Sequence, residues 1–237
     1  MSMLIIAALV FLAIHLLIAG TPVRDVITST IGERAYLGLF SLLSLGVIVW
    51  LAMSYNAAPA GGSDPLLYDA GPGIKHLGIP VVALAFLLGV QGLLMRNPTR
   101  VQVGGAMAAD ADTVHGVLRI TRHPFLWGVV IWSAFHLAAN GDEASVIFFG
   151  TFFLLALFGT ASIDARRRRK MGAAWEGFAA KTSNVPFAAA IAGRNRLNLG
   201  ESFGWRFWVA ALLFLAILFT HYHLFGVSPF PGGWVPF

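Results

Sequence analysis

The sequence predicts an all-α fold, a polytopic membrane helix bundle of about six transmembrane helices plus a short interfacial helix, built as one domain over residues 1–237. Three observations predict it. First, 57% of the 237 residues are hydrophobic and only 11% are charged, with a mean hydropathy of +0.76. A soluble domain is about a quarter charged, so this chain lacks the polar residues to clothe a water-facing globule. Second, six apolar runs approach the length needed to cross roughly 30 Å of hydrocarbon. Third, fifteen of the sixteen Lys and Arg residues fall in alternate loops, as the positive-inside bias of membrane proteins requires. An ordinary cytosolic enzyme, a disordered tail and a nucleic-acid-binding domain are excluded. The net charge of +5 and pI of about 10.1 then mark cytoplasmic loops and not a nucleic-acid surface.

The expected spans are Met3–Ala19, Ala35–Tyr55, His76–Met95, Pro124–Ala139, Ala144–Ile163 and Trp205–Phe225. The first has no basic n-region and no clean small-residue cleavage site, so it reads as a retained helix. The fourth is short and meets the fifth at Asn140-Gly141-Asp142, a turn signal that makes the two an antiparallel hairpin. Asn56–Lys75 is rich in Gly, Pro and Asp and reads as an external loop with turns. The stretch Lys170–Phe203 reads as a short interfacial helix with Trp175, Phe178 and Phe187 among the head groups.

Orientation follows from charge. Arg24 and Arg34 occupy loop one, and Arg96, Arg100, Arg119 and Arg122 occupy loop three. Arg166–Arg169, Lys170, Lys181, Arg194, Arg196 and Arg206 occupy loop five and its flank; only Lys75 falls in an even loop. Odd loops therefore belong inside, and both termini on the extracytoplasmic side of a bacterial inner membrane.

With no cysteine, metal chemistry falls to seven histidines. An intramembrane histidine is costly, and its simplest use is a hydrogen bond to a neighbouring helix. His76, His115, His221 and His223 are read that way. For His15 and His136 the functional reading is axial ligation of a haem iron between helices, since imidazole suits iron and bundle interiors host such cofactors. The block Gly116-Val117-Leu118-Arg119-Ile120-Thr121-Arg122-His123-Pro124 carries a second pattern. Pro124 suits the first position of a helix, and Arg119 and Arg122 beside that N-terminus read either as plain cytoplasmic anchors or as a clamp for a carboxylate or phosphate, such as haem propionates. Asp164 is expected to pair with Arg122 or Arg166, or to orient a histidine.

This block, continued by Trp132-Ser133-Ala134-Phe135-His136-Leu137-Ala138-Ala139-Asn140-Gly141-Asp142, resembles the NnrU family, relatives of the zeta-carotene isomerases of plants and cyanobacteria. Ile31-Gly32-Glu33-Arg34-Ala35, Lys181-Thr182-Ser183-Asn184-Val185-Pro186-Phe187 and His221 through Pro229 resemble it too, so the likeness covers nearly the whole chain. The resemblance implies non-covalent haem b, with the proposed iron ligands matching His15 and His136. In the isomerase branch that haem drives cis-to-trans isomerisation of a carotene; the NnrU branch is linked to denitrification. A weaker resemblance joins Gly-x-x-Arg-x-x-Arg-His-Pro to the isoprenylcysteine carboxyl methyltransferase type, which would imply S-adenosylmethionine, but Asp164-Ala165 stands where that type carries a Glu pair.

Depth arithmetic bears on the ligands. His15 lies about 8 Å and His136 about 20 Å from the same membrane face at 1.5 Å per residue, whereas two axial ligands of one iron approach within about 4 Å. On depth alone His15 pairs with His123 and His136 with His221. The resemblance favours His15 and His136, with His123 and His221 as substitutes. Few other polar groups stand in the spans (Gln91 and Ser133), so the expected partners are membrane lipid and an apolar polyene or lipid. The expected activity is cis–trans isomerisation or a related redox role. A non-catalytic factor for denitrification or respiratory-complex maturation and an S-adenosylmethionine-dependent methyltransferase are the alternatives.

Overall fold

The computed structural model describes residues 1–62, 64–99 and 114–235; Arg100, one of the expected loop-three cations, lies outside the described residues. Nine α-helices are formed among them: α1 (Ser2–Ala13), α2 (Val23–Ile31), α3 (Glu33–Ala57), α4 (Gly78–Leu94), α5 (Pro124–Ala139), α6 (Glu143–Met171), α7 (Ala173–Lys181), α8 (Ala188–Ile191) and α9 (Trp205–Phe225). A π-helical turn, Ile14–Ala19, extends α1, and a 3₁₀ turn, Pro72–Leu77, leads into α4. Five segments are long and apolar enough to cross a membrane: Ser2–Ala19, Glu33–Ala57, Pro72–Leu94, Glu143–Met171 and Trp205–Phe225. The chain is a polytopic helical membrane protein. α5 is the short exception at 16 residues, about 24 Å at 1.5 Å per residue. Pro124 starts it, and the Asn140-Gly141 turn ends it.

α6 is the hub. α1 and α5 both pack on it, α3 packs on α1 and α6, α4 on α5, and α9 on α4. Leu4, Ala7, Ala8 and Phe11 of α1, with Ile14 of the π-helical turn, bury themselves against Val47, Leu51 and Ala144. Leu39, Leu42, Leu45, Leu84, Phe158 and Leu212 are exposed instead, which is the expected state of a side chain whose solvent is lipid. The α5–α6 hairpin is held by the second loop. Leu67 N–H donates to the Gly141 carbonyl at 2.7 Å, Asp64 accepts from Ala144 N–H at 2.9 Å, and Asp142 caps α6 through Ser145 N–H at 2.8 Å. The bonds to Asp64 and Asp142 satisfy amides that the first turn of α6 would otherwise leave open.

Three local expectations change. α6 continues eight residues past Ile163, so Arg166–Lys170 is helical and not a loop. The interfacial helix exists as α7, but Trp175 and Phe178 are only 1% exposed and pack with Val114. They serve a protein core and not the head-group layer; Phe187, at 44% exposure, does face outward. Loop one also contains a helix, α2, with Val23, Val26 and Ile31 exposed on it.

Candidate functional site

His15 sits in the π-helical turn. Ser162 of α6 donates its hydroxyl to the Gly20 carbonyl at 3.0 Å, and a Cβ at Gly20 would fall 2.6 Å from that hydroxyl. Gly20 thus lets the end of the turn press onto α6. The His15 Nδ1 lies 2.8 Å from the Phe11 carbonyl, an acceptor, so Nδ1 carries the proton and Nε2 is the basic nitrogen. Nε2 accepts from the Ser44 hydroxyl at 3.2 Å. The ring lies between Phe11 and Phe40, with centroids 4.5 and 5.2 Å away.

His136 repeats the arrangement on α5. Its Nδ1 donates to the Trp132 carbonyl at 2.8 Å, and its ring stacks on Phe149 of α6 at 4.7 Å. Each histidine therefore holds the tautomer whose Nε2 suits metal ligation, with Nδ1–H fixed by a carbonyl. The two are not brought together. Phe11, Phe152 and Trp132 form a continuous ring layer, with centroid separations of 5.7 and 5.6 Å. α1 and α5 run antiparallel, so His15 lies one turn beyond this layer on one side and His136 one turn beyond it on the other. Four residues each way give an offset of roughly 12 Å along the bundle. The donor chemistry suits haem iron at either histidine, but as a bis-imidazole pair His15 and His136 do not fit one iron in this packing. The imidazole within electrostatic reach of His136 is His221 of α9, whose own Nδ1 donates to the Val227 carbonyl at 2.8 Å.

The arginine block is a second polar centre. Glu201 receives Arg119 through Nε at 2.8 Å and Nη2 at 2.9 Å, together with the Gly116 N–H at 2.8 Å. The Arg119 bonds hold the Glu201 carboxyl down at about 2. Asp164 joins two more members of the block, accepting from His123 Nε2 at 2.6 Å and lying 3.1 Å from Arg122 Nε. Arg122 also stacks over Trp175, its guanidinium carbon 5.5 Å from the ring centroid. Burial pushes the His123 pKa down, with Asp164 pulling against it, and burial acts likewise on Arg122. The anion expected between these arginines is thus supplied by the chain itself. The segment Lys181–Phe187 is lashed to the same block. Ser183 O accepts from Arg122 N–H at 2.9 Å, Asn184 O from the Thr121 hydroxyl at 2.6 Å, and Ile120 O from Phe187 N–H at 2.7 Å.

Sequence reasoning missed Arg24 and Tyr36. Arg24 is 3% exposed, pairs with Glu33 and lies over Tyr36, 4.9 Å from the ring centroid. The available signal was Thr21-Pro22-Val23-Arg24-Asp25, a helix start of the kind proline marks, followed by apolar residues at helical spacing.

The family model described as NnrU protein matches residues 3–229. The 15-cis-zeta-carotene isomerase of Arabidopsis thaliana is 29% identical over 198 residues, covering 80% of this chain and 50% of that protein. The 15-cis-zeta-carotene isomerase of Zea mays is 27% identical over 198 residues, covering 82% of this chain and 52% of its own length. The chain spans about half the length of these curated relatives. No solved structure matches it.

Proposed function

The chain belongs to the NnrU family, and from that premise we propose that it is a membrane-embedded cis–trans isomerase of an apolar polyene of the zeta-carotene class. The observation that carries the reading is the similarity to two 15-cis-zeta-carotene isomerases over four fifths of the chain. The chemistry of the bundle interior supports it. Gln91, Ser133, Thr151 and His136 each donate to a backbone carbonyl four residues back, at 2.6–2.9 Å. Polar groups so occupied offer little to a polar substrate, and the guest they leave room for is a hydrocarbon. A zeta-carotene is on the order of the 30 Å hydrocarbon core in length and can stay within it. Rotation about a double bond needs no water and no net electrons, so it asks nothing of the polar groups these side chains have already committed to backbone carbonyls.

Expressed in cells that accumulate poly-cis zeta-carotene, the chain should shift the pigment toward the trans isomer on chromatography under reducing conditions. An unchanged isomer profile with protein present in the membrane rejects the isomerase and leaves a non-catalytic role in complex maturation. An absorption spectrum of the same preparation tests the expected haem b. A Soret band bleached by His136→Ala and His221→Ala but spared by His15→Ala would assign the iron to His136 and His221. Bleaching by His15→Ala as well as His136→Ala would mean that the ring layer of Phe11, Phe152 and Trp132 opens in the loaded protein.

The charge pattern supports an orientation with both termini extracytoplasmic and Arg166–Lys170 inside. Reporter fusions should be active in the periplasm when joined after residue 235 and in the cytoplasm when joined after Lys170; the opposite pattern overturns the orientation.

A further inference from the structure

Where α1 begins and α3 ends, the bundle carries an open cleft of about 530 Å³, lined by Ser2, Met3, Leu4, Trp50, Met53 and Ser54 with the alanines that follow. That volume lies within the range of small-molecule sites, roughly 300–1,000 Å³. Its walls are apolar apart from hydroxyls, and one hydroxyl behaves unlike others of the crossing helices. Ser133, Thr151 and Thr220 each donate to the carbonyl four residues back, at 2.6–2.7 Å, a common way for a helix in lipid to satisfy a hydroxyl. Ser54 is buried at 9% exposure, yet its hydroxyl makes no hydrogen bond among the described residues. Nor is it sealed off, so the surface it keeps belongs to the cleft. A buried hydroxyl without a partner is costly and uncommon. This one stands as a free donor in the wall of an apolar site.

The rest of the wall says what carries the acceptor. No side chain lining the cleft is charged, which speaks against a phosphate or a carboxylate. Trp50 lies one helical turn before Ser54, so indole and hydroxyl share a face of α3. Met3 and Met53 line the same cleft at 64% and 66% exposure. An indole and two adaptable thioethers suit a flat ring, since sulfur and aromatic faces both pack well against π-systems. Val49 and Leu45 continue the face of Met53 one and two turns deeper into the membrane, and both are exposed, a track for a hydrocarbon tail. A purely hydrocarbon polyene would leave the Ser54 hydroxyl unused. A flat ring bearing carbonyl oxygens and an apolar tail would use every part of the wall. We propose that this cleft binds the ring of an isoprenoid quinone, with the Ser54 hydroxyl donating to one ring carbonyl and the tail running along Val49 and Leu45. The site is independent of the isomerase reading and does not require catalysis.

The test is photolabelling of the full chain in neutral detergent with an azido derivative of decylubiquinone, the labelled peptides being identified by mass spectrometry. Label should fall on the segments holding Met3 and Trp50–Ser54, and excess decylubiquinone should displace it. Label confined to other segments, or not displaced, would overturn the site. Ser54→Ala removes a donor that no protein group uses, so its thermal midpoint should match wild type while displacement needs about fivefold more decylubiquinone. A lowered midpoint would show that the hydroxyl serves the fold and would overturn the site, as would displacement at the wild-type concentration. Phosphatidylcholine offers ester carbonyls without a ring, and zeta-carotene offers a polyene without an oxygen; neither should displace the label. Displacement by either at the concentration effective for decylubiquinone would overturn the quinone assignment, in favour of a lipid groove or of the polyene respectively.

Discussion

Replacing Gly128 by valine should leave little folded protein, and Gly128→Ala should already destabilise it by about 1–3 kcal/mol. A Cβ at Gly128 would lie 2.7 Å from the Ala85 carbonyl oxygen and 2.7 Å from Gly89 Cα. Both are backbone atoms of α4, so no side-chain rotation relieves the contact. Gly92 meets α5 in the same way, its added Cβ falling 2.5 Å from Pro124 Cγ and 2.7 Å from the Phe125 nitrogen. Two helices packed through small residues at this distance are held by close van der Waals contact, the main attraction left when lipid is the solvent. Prying them apart loses that contact along the whole seam. It also moves α5 relative to α6, displacing His136 from Phe149 and His123 from Asp164. Gly150→Ala is the internal control. Nothing lies within 4 Å of its added Cβ, and alanine's better helix propensity should raise stability by up to about 1 kcal/mol. Thermal unfolding in detergent, with yield from membranes, measures all three. A Gly128→Val protein with a wild-type midpoint would mean that α4 and α5 do not meet at these glycines.

Local features of the fold were legible in the sequence, and features made by distant partners were not. Long apolar runs, Pro124 at a helix start and the Asn140-Gly141-Asp142 turn each act over a few residues, and each stands where expected. The separation of His15 from His136 was legible too, because rise per residue fixes depth: about 8 and 20 Å differ by the same roughly 12 Å that the ring layer imposes. Trp175 and Phe178 misled because an aromatic residue near a membrane surface suits the head-group layer and a small core equally well. What decided between them is Val114 and the stacked Arg122, 61 and 53 positions upstream of Trp175. Glu201 sits 82 positions from the Arg119 it neutralises, and nothing in local pattern announces such a pair. The π-helical turn at His15 carries no Gly or Pro of its own, and the contact at its end, from Ser162 to the Gly20 carbonyl, comes from a residue 142 positions away.

Removing the Asp164 carboxylate should have the second large effect, a loss of about 3–5 kcal/mol for Asp164→Ala. His123 is 2% exposed and gives its Nε2–H to Asp164 at 2.6 Å, while the Arg122 side chain is 14% exposed with its Nε 3.1 Å from the other carboxylate oxygen. Deleting the acceptor strands one buried N–H and one half-sequestered cation together, and the cost comes from their desolvation more than from the attraction lost. Asp164→Asn separates the two contributions. Its amide oxygen can still accept from His123 but cannot balance the Arg122 charge, so it should recover part of the loss. The pH dependence has a definite sign. Burial lowers the folded pKa of His123 below its ordinary value of 6.5, so below that pH the unfolded chain binds more protons than the folded one, and stability falls as pH drops through 6.5. Asp164 works against this by favouring the charged ring. Without it the folded pKa drops further, and the acid loss should begin at the same pH but continue to lower values. Unfolding midpoints of wild type and Asp164→Ala between pH 5 and 8 measure this, and parallel curves across that range would show that His123 and Asp164 are not coupled.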